Sequence, residues 1–536
     1  MSVNTNVPSS LENPSVNLLE VLPEARVTGP AGDSNDLRIR HCTTDPTGLS
    51  SESALVLIPG TEPTPVVFQG RFRFESLDSS DSDSSDGKSS RPPQGDHRDS
   101  HSSGPRGAII SMEPIPHSTV PVLIVPDPVL AYGRICHALA GHPTRQLQVV
   151  GVLGSRSASG VSALMAGMLQ AAGRPFGVLS SYGCMDGRDM MSSRSPRQSV
   201  EGMVHWLRCC VQQGCTHAIM EITPAMLASG VTAGCRFSAV CVGDRIGRPS
   251  GVSESVHFQN ILRLFHQTDS HRGFAVFNAD APAAVRIMEQ IATPSLTIGV
   301  SRSADMTAQI LEQTSAEQTF LMQAGSDVIP VRTRQIGHRV VSDSLMVAAT
   351  GLGWELPLPT IVRGLESIDA IPGHHERVVC GQEFGVYVES RRSIATLRET
   401  LSTLRDTTSR RILCVIDAET QLSQPRRIQW IEALAEFADR IILTSAHCAT
   451  FGMVRKMDES TLTQTLESIR RAFPNPSQVQ VVVRRDRAVA TALRKAERGD
   501  MVLLAGGRRT TDPRTYLPTD DAELAKQWLR SAHRKR

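Results

Sequence analysis

Short runs of β-branched and aliphatic residues recur along this chain, closed by glycine or polar turn residues, and stretches of helical period fall between many of them. QVVGVLG (148–154) predicts a strand ending in glycine, after which Val161, Leu164, Met165, Met168, Leu169 and Ala172 recur at helical spacing. FGVLSS from Phe176, HAIMEI (217–222), SAVCVG (238–243), FAVFNAD (274–280) and LTIGVS (296–301) predict further strands. Strands alternating with helices imply a mainly parallel sheet covered on both faces.

A second doubly wound α/β unit follows. Its predicted strands are RRILCVIDA (410–418), RIILTSA (440–446), VQVVV (479–483) and MVLLAGG (501–507), with helices over 426–438, 487–498 and 520–533. Upstream, ALVLIPG (54–60) and VPVLIVP (120–126) predict strands of a smaller unit. The Ser/Asp-rich segment at about 74–107 interrupts that unit and holds too little apolar material to offset its ordering entropy, which predicts a disordered insertion. The expected domains are 1–145, 146–374 and 375–536.

Composition agrees: 536 residues leave room for about three domains, and 40% hydrophobic with 21% charged residues suits a globular chain. A formal net charge of +2 gives no global reason to expect nucleic acid or membrane as a partner. The eleven cysteines contain no CxxC pair, which favours a reduced intracellular chain over a metal or disulfide framework. The N-terminus lacks a basic region followed by an apolar one, and no run of roughly 18 apolar residues occurs, so a cytoplasmic protein without a membrane span is expected. One absence bears directly on chemistry. No lysine occurs between Lys88 and Lys456, so every amine-dependent role in that stretch is vacant.

The strand–loop–helix at 148–172 sits where a phosphate-binding loop is expected. Such loops use glycines to let backbone N–H groups cradle phosphate, a lysine to neutralise it and a Ser/Thr to hold magnesium. Gly151, Gly154, Ser155, Arg156, Ser159 and Gly160 supply the frame, but the lysine position holds Ala158. Read by itself, this is a small-residue turn between a strand and a helix.

The segment GVLGSRSASGVSALMAGMLQAAGRPFGVLSSYGCMDG (151–187) resembles the nucleotide-binding stretch of the Mur ligases, G-[IV]-T-G-T-N-G-K-T-T-T followed by LEAAG and GLIGT. Within that family it is most similar to the ligases that extend UDP-N-acetylmuramoyl-alanyl-glutamate by the third stem-peptide residue. LEVLPEARV and HCTTDPTGLSSESALVLIPG resemble the UDP-binding first domain. IMEITPAML (219–227), GFAVFNADAP, IPGHHERV (371–378) and MVLLAGGRRT (501–510) resemble later family segments in the same order. The resemblance implies a small UDP-binding-type α/β domain, a central parallel-sheet ATPase-type domain and a C-terminal Rossmann-like domain. It also implies ATP and Mg as cofactors of an active member, a UDP-N-acetylmuramoyl-peptide substrate and a monomer.

The same comparison shows departures. The P-loop Lys-Thr-Thr is Ala158-Ser159-Gly160, leaving Ser159 as a magnesium ligand beside Glu221, which matches a magnesium-binding glutamate. The substrate-contacting Thr-Thr-Pro is Arg194-Ser195-Pro196, and the carbamylated lysine falls near Asn260. The Asp-His pair is absent from Gly243–Arg248, and the family's Asp-Asn-Pro-Arg is Ala446–Ala449. A basic pair persists as Arg426-Arg427, and Asp-Ser-Arg near the uridine is reduced to Asp45-Pro46-Thr47. Loss of one fixed charged donor at such a site costs roughly 3–4 kcal/mol in the transition state.

Two main readings follow, beside a third in which the chain binds a UDP-sugar or nucleotide without turnover, as a sensor. In one, the chain is a catalytically degenerate Mur ligase homologue that acts in binding or scaffolding, with UDP-N-acetylmuramoyl-peptide or cell-wall and division proteins as partners. In the other, it is an active ATP-dependent acid–amino-acid ligase with an arginine-based site. There Arg156 reaches the phosphates, Ser159 and Glu221 hold Mg, and Asp45, Ser195, Arg426 and Arg427 meet substrate. Arg245, Arg248, Arg391 and Arg392 would add charge around it. His374-His375 with His266 and His271 as a metal set, and His447-Cys448 as a catalytic pair, are disfavoured against ordinary surface or core roles.

Overall fold

The computed structural model describes residues 15–28, 37–44, 53–58, 107–116, 118, 120–154, 158–181, 183–191, 196, 198–244, 246–390, 393–418, 427–445, 459–506 and 521–533. The insertion at 74–107 lies outside the described residues apart from Gly107.

The first unit is a five-stranded sheet of β1 (Arg26–Thr28), β2 (His41–Thr43), β3 (Ser53–Val56), β4 (Ala108–Ser111) and β5 (Val122–Ile124). Its order is β1-β5-β4-β3-β2, parallel except for β1. Helix α1 (Pro128–Leu139) starts where the Asp127 carboxylate caps Leu130 N–H and Pro128 takes the first turn. It buries Ala131, Tyr132, Ile135, Cys136 and Leu139 in the same apolar cluster as Ala54, Ile110 and Leu123.

The central sheet has eleven strands. Five run parallel at its heart: β6 (Gln148–Leu153), β7 (Phe176–Ser180), β10 (His217–Ile222), β11 (Ala239–Val242) and β12 (Phe274–Asn278). Short strands β8 (Gly183–Met185) and β9 (Met190–Met191) extend one edge, and β13 (Ser295–Gly299) joins the other in parallel. An antiparallel meander of β14 (Met306–Gln313), β15 (Gln318–Ala324) and β16 (Asp327–Thr333) completes the order β9-β8-β7-β10-β6-β11-β12-β13-β14-β15-β16. This meander is an addition to the sequence expectation. Its strands mix buried and exposed positions, and Pro330 lies in the edge strand, where a missing N–H is tolerated.

Two apolar clusters sandwich this sheet. Helices α2 (Ala158–Ala171), α7 (His338–Gly353) and α8 (Leu358–Glu366) pack on one face. Helices α3 (Val200–Gln212), α4 (Pro224–Ser229), α5 (Glu254–Phe265) and α6 (Pro282–Met288) pack on the other. β6 and β10 alternate their buried residues between the two faces, as Val150 and Ile219 against Val149 and Ala218. The chain passes from β6 to β7 and β10 on one side and then crosses to β11 on the other, which opens a crevice at the C-terminal ends of β6 and β11.

The third sheet comprises β17 (Glu376–Arg377), β18 (Gly385–Glu389), β19 (Ile412–Asp417), β20 (Arg440–Ser445), β21 (Val479–Arg484) and β22 (Met501–Ala505). Its order is β17-β18-β22-β19-β20-β21, parallel except for β17. Helices α9 (Ile394–Thr407), α10 (Arg427–Phe437), α11 (Glu459–Arg471), α12 (Arg485–Lys495) and α13 (Asp521–His533) cover it.

A buried pair ties α12 to α13: Arg485 Nε and Nη2 donate to the Asp521 carboxylate at 3.0 and 2.5 Å, and Nη2 also donates to Ala505 O at 3.0 Å. Both side chains are at most 3% exposed. Removing one partner strands the other charge in a dry interior. Asp521→Ala should therefore destabilise the C-terminal domain by about 3–5 kcal/mol, read as a lowered denaturation midpoint, and an unchanged midpoint would contradict the pairing.

Candidate functional site

The crevice is built where β6 ends. Gly154 follows the strand with φ 146°, a backbone conformation that side-chain-bearing residues rarely adopt. Its carbonyl accepts the Ala158 N–H at 3.2 Å, which starts α2. Ser155 and Arg156 lie outside the described residues, as do Asp45, Ser195, Arg245, Arg391, Arg392, Arg426, the 446–449 segment and 507–510.

The described positions of the loop frame have specific surroundings. Gly151 lies inside β6, where a Cβ would meet Ile222 Cδ1 at 2.7 Å and the Phe237 ring beyond it, so it is a packing glycine. Ala158 is 1% exposed and belongs to the apolar cluster with Val150, Met165 and Leu345. Ser159, equally buried, places its Oγ 3.2 Å from His374 Nε2. At Gly160 the space a Cβ would need is filled by the Asp343 carboxylate, with Oδ2 2.5 Å away. A buried acid therefore lies against the first turn of α2.

Asp343 belongs to a charged corner. Arg339, one helical turn earlier on α7, is partly buried and stands within the field of Glu389, Asp343, Glu399 and Asp244. Burial on its own lowers the guanidinium pKa, but these four carboxylates together raise it above the ordinary arginine value. Glu389, at the end of β18, is 1% exposed; its Oε2 accepts from His375 N at 3.3 Å and from Thr400 Oγ1 at 3.4 Å. His375 has φ 48° and packs edge-on against Tyr387 with ring centroids 5.2 Å apart. Its Nε2 is buried without a hydrogen-bond partner. This corner joins the central and third sheets, because Asp244 follows β11, Arg339 and Asp343 lie on α7, and Glu389 and Glu399 lie on β18 and α9.

Glu221, at the C-terminal end of β10, is half-buried, and its Oε2 accepts the Ser181 N–H at 2.5 Å. It thereby ties β10 to the turn after β7. Arg427 opens α10 and is half-buried, on an element of the third sheet. Asn260 lies on α5 and lines a groove away from the crevice. Among the described residues no group of three His, Cys, Asp or Glu side chains is arranged to hold a metal ion.

Sequence reading passed over Arg339 and Asp343, and met Glu389 only as the residue that begins the replacement of the family's Asp-Tyr-Ala-His segment. A signal for Asp343 exists, since a lone acid interrupts the apolar run Val340, Val341, Leu345, Met346. Its approach to Gly160 depends on how α7 packs on α2.

ATP with Mg fits these described residues poorly. The lysine position is an alanine turned into the core, the Ser159 hydroxyl meets His374, and the corner carries four carboxylates against Arg339.

Burial, and then Arg339, push the His375 pKa down from 6.5 to about 3, so the folded protein holds this ring neutral. The unfolded chain takes up the proton below pH about 6.5. The stability is thus fully present above that pH and is lost as pH falls toward 3. His137, at about 3, and His217, at about 4, act in the same direction. The melting temperature should drop by several degrees between pH 7 and pH 5, less steeply in His375→Gln; an identical slope in the variant would remove His375 from this account.

Comparison with known proteins places the architecture. Residues 387–508 match the family model described as Mur ligase, glutamate ligase domain. The UDP-N-acetylmuramoyl-L-alanyl-D-glutamate--2,6-diaminopimelate ligase of Bacillus licheniformis is 24% identical over 421 residues, spanning 76% of this chain and 84% of that protein. The enzyme of the same name from Geobacillus thermodenitrificans is 24% identical over 409 residues, spanning 75% and 82%. A solved structure of such a ligase superposes with a TM-score of 0.65 at 15% identity, over 97% of this chain and 99% of that one. Folylpolyglutamate synthase of Mycobacterium tuberculosis, complexed with ADP and AMPPCP, superposes with a TM-score of 0.55 at 13% identity, over 75% and 95%. The fold is the three-domain α/β architecture of the diaminopimelate ligase structure.

Proposed function

The chain belongs to the Mur ligase family, and from that premise we propose that it binds a UDP-N-acetylmuramoyl-peptide without driving ATP-dependent ligation. The observation that carries this reading is the start of α2. Ala158 faces the apolar core where the family resemblance calls for lysine, and the Asp343 carboxylate occupies the space beside Gly160. An anion fixed against a helix N-terminus takes up the favourable field that such a terminus offers to phosphate. The ligand class is suggested by the relatives, whose names specify UDP-N-acetylmuramoyl-alanyl-glutamate as the molecule extended. In this reading the domains divide at about 145 and 374, and the protein works through what it holds, as a scaffold or sensor in cell-wall assembly.

Calorimetric titration of the full chain separates this from an arginine-based ligase. The expected result is no saturable heat with Mg-ATP and saturable heat with UDP-N-acetylmuramoyl-alanyl-glutamate. Saturable Mg-ATP binding that disappears in Arg156→Ala would overturn the proposal and assign Arg156 the phosphate-neutralising role.

A further inference from the structure

A wide groove lies at the opposite end of the central sheet from the β6–α2 crevice. It runs between α1 of the first unit and the N-terminal ends of β6, β11 and β12, and encloses about 1740 Å³. Because these strands are parallel, their N-terminal ends share one edge, and the groove is separated from the loop frame by the length of the sheet. Arg145 lies in the short helix before β6, Arg236 in the turn before β11, and Arg263 in the last turn of α5.

The charge balance of this lining is basic. Five arginines and four histidines line the groove with three carboxylates. One of those acids, Glu24, pairs with Arg134 at 2.5 Å, and another, Asp127, caps α1. Arg236 is held by Asp269 at 2.6 Å, and a paired backbone segment fixes that contact: Phe237 N–H donates to Gln267 O at 2.9 Å and Asp269 N–H to Phe237 O at 2.8 Å. Arg145 and Arg263 are exposed and make no ion pair among the described residues.

A second, independent feature lies in the same walls. His137 is 3% exposed, with Nε2 3.4 Å from Cys235 Sγ and a buried Nδ1 that has no hydrogen-bond partner. Gln267 Oε1 and Thr268 Oγ1 are likewise buried and unpartnered. Buried polar atoms cost free energy when they lack partners, and three in one lining indicate that the groove is made for a polar occupant. Guanidinium groups match phosphate oxygens in geometry as well as charge, and a ligand pocket of ordinary size occupies roughly 300–1,000 Å³. The groove has space for a ligand of at least that size.

We propose that this groove is a binding site for a phosphate-bearing small molecule, with Arg145 and Arg263 engaging the phosphate and His137, Gln267 and Thr268 meeting the polar remainder. The site is independent of the β6–α2 crevice and of whether that crevice holds a nucleotide.

The test is calorimetric titration of the full chain with inorganic pyrophosphate, in wild type and in Arg145→Ala, Arg263→Ala and Ser159→Ala. The two arginines are exposed, so the variants should keep the wild-type melting temperature. Saturable binding that weakens roughly tenfold or more in each arginine variant, and is unchanged in Ser159→Ala, is the expected result. Three outcomes would overturn the assignment: no saturable heat, heat that survives both arginine substitutions, or heat lost in Ser159→Ala. The last would move the phosphate to the β6–α2 crevice and count against the proposed function as well.

Discussion

The approach of α7 to the first turn of α2 is the contact on which the functional corner depends. A glycine at position 160 lets the two helices come close enough for the Asp343 carboxylate to take the place of a side chain on α2. That carboxylate is buried, so it needs compensating charge and hydrogen bonds. Arg339, one turn away on the same helix, supplies the charge. Arg339 in turn serves Glu389 at the end of β18, and through it the backbone of His375 and the hydroxyl of Thr400. The central and third sheets are thus joined through polar groups that would each be unfavourable without the others.

This network sits at one edge of a familiar architecture. A parallel sheet whose central strand ends in glycine and turns into a helix presents N–H groups to anything anionic at that edge. Family resemblance predicts a nucleotide there. In this chain the Asp343 carboxylate lies against Gly160 in the first turn of α2, the position that matches the family lysine faces the core, and the Ser159 hydroxyl meets His374. The fold survives such changes because the apolar faces of β6, α2, α7 and α8 are untouched by them. Core packing requires residues of suitable size and apolarity, whereas phosphoryl transfer requires particular charges at particular points.

The basic groove at the other edge of the sheet has a different origin. Three of its five arginines come from separate elements of the central domain, Arg145 ahead of β6, Arg236 ahead of β11 and Arg263 at the end of α5. Only the parallel alignment of the strands gathers them, and the packing of α1 beside them closes the wall that carries His137. Among the described residues the two edges of one sheet are therefore opposite in character, carboxylate-rich at one end and guanidinium-rich at the other.

Much of the architecture was determined by the sequence itself. Periodicity located the hearts of two parallel sheets, with HAIMEI as β10 in the central one and MVLLA as β22 in the third, because a strand buried on both faces must be apolar at nearly every position. The lysine-free stretch and Ala158 likewise stand in the sequence without reference to any contact. The β14–β16 meander was not legible, because its half-exposed strands lack a continuous apolar signal and gain their pairing only beside β13. Nor were the charged corner and the groove, since Gly160 and Asp343 are distant in sequence, as are Arg145 and Arg263. Local pattern decides which segments become strands and helices, through burial on one face or two. Which charges then meet is decided by how those elements pack, for electrostatic interaction depends on distance in space, and the sequence records only order along the chain.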